Sequence, residues 1–410
     1  MNADLRRYFA FFAATFLGSC LTAIASMLQV DAVFHSIGLV AVALSLKTLF
    51  LMLVGLGAPR MILSLGLRRS LWLAQLSGVA FLGLLWAGFA SGSFPLTLLG
   101  IFLSSAPSVL LNVVNASLFR LLSSRQEGFR SLQGSQQTLA GLCFIAASVA
   151  VPLLMNRLGF GAVVLIDAAT YAIGAWFLRS KISGWIETVE TQEGPAAAAA
   201  PEASAPLWRG PGAAEFALLS AAAYLLIGMG PLISSSTRSL WAEGLSAAPH
   251  GLLWTVEALA AFLSGLIYRS YAKNARLQAA LALPVPLGLL LIPLVRARTP
   301  FWIGLWLGSL SLSMALRYMK TRDDFLLRFS TKAASVRASA SVGIWANFIM
   351  FLSPLLLTPL VRQGSSGLPL VVVSVGAQGA LAAMAAIMRR RVLQAENAEK
   401  IIKRDAARAY

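Results

Sequence analysis

Three ionisable side chains fall near the middle of long apolar stretches of this chain: Lys47, Asp167 and Glu257. A charge at the centre of a bilayer costs at least about 2.5–3.5 kcal/mol, so each needs a partner or a water-filled cavity. The functional interpretation of Lys47 is an ammonium that binds an anion or takes part in proton transfer. The alternative is a buried pair with a carboxylate that fixes helix packing. We interpret Glu257 as a proton-exchanging carboxylate, with Asp31 as a second candidate, and Asp167 as a structural hydrogen-bond acceptor.

A second group of polar residues follows the fourth apolar stretch at steps of four, four and three, which places them on one helical face: Ser104, Ser108, Asn112 and Asn115. Within hydrocarbon such a stripe must face protein or water. The stripe is either a set of interhelical hydrogen bonds, worth about 0.6 kcal/mol each, or the wall of a cavity that binds a substrate. Two similar groups lie in later stretches: Ser309, Ser313 and Arg317 in the tenth, and Gln133, Gln136 and Gln137 near the inner end of the fifth.

Signatures of enzymes and metal sites are missing from the sequence. Its histidines are His35 and His250, it has no paired Cys or His ligands, and it has no G-x-x-x-x-G-K-[ST] loop for phosphate. Cys20 and Cys143 lie inside apolar stretches, where they are expected to pack rather than react. We therefore expect no catalytic residues, no metal, no cofactor and no enzymatic activity.

The composition is that of a membrane protein. Of 410 residues, 58% are hydrophobic and only 12% are charged, against about 25% charged in a soluble domain. Twelve apolar stretches are long enough to cross a bilayer. They cover about 8–30, 36–58, 71–91, 96–119, 135–155, 160–179, 214–235, 249–268, 278–296, 300–319, 341–361 and 367–388.

The formal charge of +17 is unevenly distributed among the loops. Most Lys and Arg residues lie in the termini and even-numbered loops, and the few in odd-numbered loops are Arg157, Arg238, Arg296, Arg298 and Arg362. This asymmetry predicts that both termini are cytoplasmic, in a multi-pass protein of the cell (inner) membrane. The basic charge is thereby explained without a nucleic-acid partner.

One long polar stretch, 181–213, divides the chain into two sets of six apolar stretches. It is rich in Pro, Ala, Gly and Glu, so we predict a mobile cytoplasmic linker. The expected fold is an all-α integral membrane protein of 12 transmembrane helices, arranged as two pseudo-symmetric six-helix bundles around a central cavity. The bundles would be 1–180 and 214–388, followed by a basic cytoplasmic tail, 389–410. An offset of 210 residues places Gly55 over Gly265 and Lys47 over Glu257, which favours an internal repeat.

Over nearly its whole length the chain resembles the major facilitator superfamily. That superfamily carries a basic signature, roughly G-x-x-x-D-R-x-G-R-R, between its second and third spans, and the corresponding stretch here is PRMILSLGLRRSL. Gly66, Arg68 and Arg69 match, whereas Leu63 occupies the acidic position. The resemblance implies that this loop stabilises one end state through charge contacts, with Arg60 as a replacement. Arg125 and Arg130 on the next inner loop share the spacing of Lys332 and Arg337 and are further gating or structural candidates.

Within the superfamily the first half is most similar to exporters of enterobactin-type siderophores and macrolides, through FLGSCLTAIASMLQV and LGFGAVVLIDAATYAIGAWFL. Two features depart from that branch. Gly18-Ser19 stands where many relatives have Gly-Asp, and the fifth span lacks the Gly-Pro antiporter signature, keeping only Gly141 and Pro152.

The resemblance implies a monomeric secondary transporter that exports a small amphiphilic or anionic metabolite, such as a siderophore or drug, in exchange for protons. Substrate would bind to Lys47, Arg317, Ser313 and the stripe of the fourth span, with Glu257 and Asp31 coupling the protons. The alternatives are an importer or uniporter of an organic anion, a lipid flippase, or a membrane receptor or scaffold without turnover. The expected partners of the protein are a small-molecule substrate and membrane lipid.

Overall fold

A computed structural model describes residues 3–34, 37–123, 126–191, 248–282, 300–327 and 331–357, with isolated positions at 217, 218, 220, 221, 329, 376, 379, 380, 383, 384 and 387. The described parts of the chain are helical throughout, apart from short turns. The helices are α1 (Ala3–Phe34), α2 (Ile37–Ala90), α3 (Phe94–Ser104), α4 (Ala106–Leu122), α5 (Gln126–Phe177), α6 (Ser183–Thr191), α7 (Ala248–Lys273), α8 (Ala275–Ala280), α9 (Pro300–Leu326) and α10 (Lys332–Leu357). A π-helical turn, Leu178–Ile182, joins α5 to α6.

Two helices are much longer than a bilayer is thick, and each contains one glycine at which the helix breaks. An uninterrupted helix of 54 residues, the length of α2, would span about 80 Å. Gly66 breaks it with φ 81°, and Gly159 breaks α5 with φ 78°. Positive φ is strained for residues with a Cβ, which is why glycine occupies both positions. The breaks fall in the predicted loops between spans two and three and between spans five and six.

The described chain contains five helical stretches long and apolar enough to cross a membrane: Ala3–Gln29, Ser45–Ala90, Phe94–Leu122, Gln126–Thr191 and Lys332–Leu356. An all-α membrane protein is therefore confirmed. The number of twelve spans and their division into two bundles remain predictions, as do the predicted tail and most of the predicted linker, which lie outside the described residues.

One end of the molecule, called here the basic face, gathers the beginnings of α1, α5 and α10, the ends of α7 and α9, the break of α2 and the helix α6. It corresponds to the face predicted to be cytoplasmic. Helices from both halves of the sequence share one apolar core there, with Phe119 and Phe129 packed in the same cluster as Phe325 and Val336. Burial of these side chains holds the two halves together at this end.

Two seams between the halves use glycine to bring helices close together. A Cβ placed on Gly55 of α2 would lie 3.0 Å from Ile344 of α10, and one placed on Gly265 of α7 would overlap the backbone of Thr138 on α5. These two glycines are the pair that the 210-residue offset of the predicted internal repeat aligns. Each therefore admits a helix of the opposite half.

The start of the predicted linker, 181–191, is helical in the structure, while the mobility predicted for 181–213 stays a prediction. The π-helical turn and α6 bury Ile182, Ile186 and Val189, all at most 6% exposed. These residues follow one another at spacings of four and three, so they share a helical face, and that face packs into the core at the basic face. The high content of Glu, Ser and Thr concealed this short apolar stripe.

Candidate functional site

A central cavity of about 240 Å³ lies between the two halves, near the basic face. It is bounded by α1, α4, α5, α9 and α10. Its walls combine apolar side chains with amides and one guanidinium. The polar lining residues are Asn112, Gln133, Gln136, Gln137, Tyr318, Arg322, Ser339 and Asn347.

The charged group of the cavity is Arg322, which takes part in a network spanning both halves. Its Nη2 donates to Gln133 Oε1 of α5 at 2.7 Å and to Asp323 Oδ1 at 3.0 Å. Asp323 is fully buried and also accepts a hydrogen bond of 2.6 Å from the hydroxyl of Tyr268 on α7. The guanidinium lies 5.8 Å from the ring centroid of Tyr318, within the range of cation–π attraction.

This arrangement gives the cavity a positive group with a buried counter-charge behind it. A buried carboxylate is stable only when it is paired and hydrogen-bonded, and Arg322 and Tyr268 supply both conditions. Because Arg322 also faces the cavity, an anion bound there would compete with Asp323 for its N–H groups. The guanidinium therefore contacts the buried carboxylate on one side and the cavity on the other.

Five amide side chains surround Arg322 and offer donors and acceptors of fixed position: Asn112, Gln133, Gln136, Gln137 and Asn347. The fifth-span glutamines and Asn112 are where the sequence predicts a cavity wall. Amides on opposite walls can hydrogen-bond to carboxylate, hydroxyl or carbonyl groups of a ligand.

The rest of the predicted stripe is separated from the cavity. The helix is interrupted at Ser105, so Ser104 ends α3 while Ser108 lies in α4. The hydroxyls of both donate to carbonyls of their own turn. Asn115 is buried and accepts a hydrogen bond from Tyr8. Ser313 is also buried, and it donates to Leu281 O at 2.6 Å.

Lys47 lies in the first segment of α2, partly buried, and forms no ion pair with any residue that the structure describes. Its aligned counterpart, Glu257, lies in α7, and Asp31 lies near the end of α1, but their side chains are outside the described set. Arg317 is partly buried on α9, five residues before Arg322. The roles predicted for these four residues remain predictions.

The superfamily-like basic loop lies at the break of α2. Glu190 of α6 accepts hydrogen bonds from the backbone N–H groups of Leu67 at 2.8 Å and Arg68 at 3.4 Å. The same carboxylate pairs with Lys332 of α10 at 2.6 Å. Glu190 therefore caps the helical segment that follows Gly66 and ties it to the other half.

The remaining arginines of this loop are more exposed. Arg68 pairs with Glu187 at the surface, and Arg60 and Arg69 are exposed. Arg125 lies outside the described residues. The acid that contacts this loop is therefore Glu190, a residue of the predicted linker, whereas position 63 is occupied by Leu63.

Two further ion pairs cross between the halves at the basic face. Arg130 of α5 pairs with Asp324 of α9, which also binds Lys320 at 2.9 Å. Glu127 at the start of α5 pairs with Lys273 at the end of α7, at 2.7 Å. Together with the shared core, these pairs close the central cavity toward the basic face.

Asp167 is buried between α5 and α1. The hydroxyl of Thr170 donates to its backbone carbonyl at 2.8 Å and to its carboxylate at 3.3 Å. A Cβ on Gly18 of α1 would overlap both Asp167 and Thr170. The close approach of α1 is compatible with the predicted structural role.

The sequence analysis does not identify Arg322 and Asp323, because the apolar pattern predicts that the tenth span ends at 319. It does not identify Tyr268 either, because the importance of this hydroxyl lies in its contact with Asp323 of a distant helix. In the structure α9 continues to Leu326. The run TRDDF, which the apolar pattern leaves outside the span, is therefore helical. Among the described residues no group of three or more His, Cys, Asp or Glu is arranged to hold a metal ion.

Comparison with known proteins adds evidence on the fold. No family model matches the chain, and no curated protein matches it. Solved structures, by contrast, match the chain over nearly its whole length. A bacterial homologue of the iron transporter ferroportin, in an outward-facing state with soaked iron, has a TM-score of 0.62 at 14% identity, over 95% of this chain and 100% of that one. The E. coli fucose:proton symporter has a TM-score of 0.60 at 13% identity, over 93% and 98%.

A second structure of that symporter, a major facilitator superfamily transporter in the outward conformation, also matches, with a TM-score of 0.58 at 13% identity, over 94% of this chain and 99% of that one. The chain therefore has the fold of the major facilitator transporters, which is the superfamily that the basic loop resembles. These neighbours are transporters rather than enzymes. Identities of this size establish the fold alone.

Proposed function

We propose that this chain is a proton-coupled secondary transporter that carries a small anionic metabolite across the cell membrane by alternating access. The observation that carries the proposal is the cavity between the two halves, where Arg322 is shared between the cavity and a buried Asp323. Rocking of the halves would expose such a site to each side in turn. The fold neighbours support the class, since one is a fucose:proton symporter and another is a bacterial homologue of the iron transporter ferroportin.

The direction implied by the resemblance to siderophore and macrolide exporters is efflux in exchange for protons, with Glu257 and Asp31 as coupling residues and Lys47 and Arg317 contributing to binding. In this version the substrate is a siderophore or drug with an anionic or amphiphilic character. Both termini are placed in the cytoplasm, and the protein works as a monomer.

The second candidate is movement of an organic anion together with protons, and the Arg322–Asp323 pair favours it. A proton on Asp323 removes the counter-charge of Arg322 and strengthens its attraction for an anion. Substrate and proton would then bind together, which is the thermodynamic condition for symport. Exchange requires the opposite, namely that binding of a proton weakens binding of the substrate.

The test is substrate transport in everted membrane vesicles that contain the full chain, with an imposed proton gradient and a pH-sensitive dye. The compounds are siderophores, macrolides, organic acids and lysolipids. Exchange predicts that an added substrate dissipates the gradient as it accumulates. Symport predicts that a preloaded anion leaves together with protons.

Three variants locate the coupling: Glu257→Gln, Asp323→Asn and Arg322→Gln. We expect Arg322→Gln to lower transport at least tenfold by removing the cavity's guanidinium. The coupling carboxylate is the one whose amide variant still binds substrate but no longer moves protons. Asp4→Asn, at an exposed pair with Arg7, is the control and should match the wild type. Absence of both proton movement and thermal stabilisation with every compound would contradict the proposal.

A further inference from the structure

A groove of about 450 Å³ lies on the outside of the seam between α5 and α7, separate from the central cavity. Its wall nearest the basic face is polar, with two arginines and three hydroxyls, and its other wall is apolar. The polar lining residues are Arg130, Ser131, Ser135, Thr138 and Arg269, and the apolar side chains are Phe9 of α1, Leu139, Leu142 and Leu266.

The floor of the groove is closed by close packing of the two helices. A Cβ on Gly134 would lie 3.2 Å from Gly265 O, and one on Gly141 would overlap Phe262. Gln133, Gln136 and Gln137 face the central cavity from the same stretch of α5. The groove is therefore not a side entrance to the cavity but a compartment that faces the membrane.

The polar end of the groove carries unneutralised positive charge. Arg269 is exposed and forms no ion pair or hydrogen bond with the residues that the structure describes. Arg130 binds Asp324 through Nη2, yet its buried Nε has no hydrogen-bond partner. The acids nearby are already paired, Asp324 with Lys320 and Glu127 with Lys273.

The apolar end continues into two exposed stripes that run along the helices away from the basic face. On α7 they are Leu259, Leu263 and Leu266, and on α5 they are Leu142, Val149 and Leu153. From Arg269 to Leu259 the helix rises by about 15 Å, which is half the hydrocarbon thickness of a bilayer. The groove is thus charged at the basic face and apolar from there to mid-membrane. This is the polarity and the length of one lipid in one leaflet of the bilayer.

We propose that this groove binds an anionic phospholipid, with its phosphate beside the guanidinium groups of Arg130 and Arg269 and its acyl chains along the two apolar stripes. The hydroxyl of Ser131 can donate to a remaining headgroup oxygen, whereas those of Ser135 and Thr138 already donate to Ser131 O and Gly134 O of their own helix. The occupant is a membrane lipid and not a soluble phosphate, because the apolar half of the groove would otherwise stay unused. Since α5 and α7 belong to opposite halves, bound lipid stabilises the arrangement closed at the basic face.

The experiment uses the full chain purified in detergent, with phosphatidylglycerol or phosphatidylcholine of the same acyl chains added at equal mole fraction. Native mass spectrometry counts bound lipids, and a thermal melt measures the stabilisation. We expect phosphatidylglycerol to bind and raise the melting temperature, and phosphatidylcholine to do neither. Arg269→Gln should weaken phosphatidylglycerol binding about fivefold, as expected for one arginine at a lipid headgroup.

Arg69→Gln is the matched control, since Arg69 is an exposed arginine at the break of α2 on the same face and lies outside the groove. It should bind phosphatidylglycerol like the wild type. Leu266→Asn should weaken binding of the lipid without changing the response to inorganic phosphate.

Three results would overturn the proposal. Equal binding of the two lipids would mean ordinary solvation by the bilayer. Equal stabilisation by inorganic phosphate would assign the arginines to a soluble anion. Equal losses in Arg69→Gln and Arg269→Gln would indicate a general effect of surface charge. None of these results depends on whether transport is proton-coupled.

Discussion

Gly265 shows how a single missing side chain allows helices from the two halves of this chain to meet. The backbone of Thr138 occupies the place where a Cβ of residue 265 would lie, and backbone cannot rotate away as a side chain can. We predict that Gly265→Ala forces α5 and α7 apart and destabilises the protein, in the range of about 1–3 kcal/mol typical of overpacking. The measurement is the midpoint of thermal unfolding in detergent.

Gly83→Ala provides the comparison, because no atom lies within 4 Å of a Cβ at that position. Alanine is the better helix former by roughly 0.5–1 kcal/mol, so Gly83→Ala should be neutral or slightly stabilising. If the two alanine variants melt at the same temperature, the close seam at Gly265 does not contribute to stability.

At the scale of elements, the carboxylate of Glu190 connects three helices. It accepts two backbone N–H groups at the beginning of the segment after Gly66 and the ammonium of Lys332 from α10. Leaving such buried donors unpaired costs about 1–3 kcal/mol. We therefore predict that Glu190→Ala lowers stability by that amount and speeds hydrogen exchange at Leu67 and Arg68.

Glu187→Ala is the control in the same helix. Its ion pair with Arg68 is 60% exposed on the glutamate side, and exposed pairs contribute about 1 kcal/mol or less. In the Glu187→Ala variant, the rate of amide hydrogen exchange near Gly66 should remain that of the wild type. Fast exchange in both variants would show that α6 itself, and not the Glu190 cap, orders the α2 break.

The elements that could be predicted from the sequence are those whose pattern is local. Apolar stretches located the helices, the glycine-containing loops coincided with both helix breaks, and polar periodicity found Asn112 and the glutamines of α5. Arg322, Asp323 and Glu190 could not be found in this way. Their charges are acceptable in buried positions only because groups from distant helices pair with them, and hydropathy contains no information about such partners.

The molecule as a whole is held closed at its basic face by a shared core and by ion pairs between the halves. In the proposed alternating-access cycle, opening of this face exchanges the protein contacts of each pair for water. The net contribution of each pair to the closed arrangement is therefore small. Of the pairs Arg130–Asp324 and Glu127–Lys273, the first is the more buried, because its α5 residue, Arg130, is only 14% exposed. The pair Lys273–Glu127 is 47% and 66% exposed and should matter less.

This difference predicts how the central cavity responds to loss of each pair. Gln137→Cys places a reporter in the cavity wall, in a background where the buried Cys20 and Cys143 are replaced by alanine. Arg130→Gln and Asp324→Asn should each speed labelling by an impermeant maleimide from the basic face, and the double variant should label no faster than the faster single one. Such non-additivity is expected when two residues act through one contact. Lys273→Gln should leave the labelling rate near that of the reporter variant alone.

Two outcomes would contradict this prediction. Additive effects of Arg130→Gln and Asp324→Asn would mean that the two residues act separately. Equally fast labelling after Lys273→Gln would mean that total surface charge, and not the buried pair Arg130–Asp324, keeps the face closed.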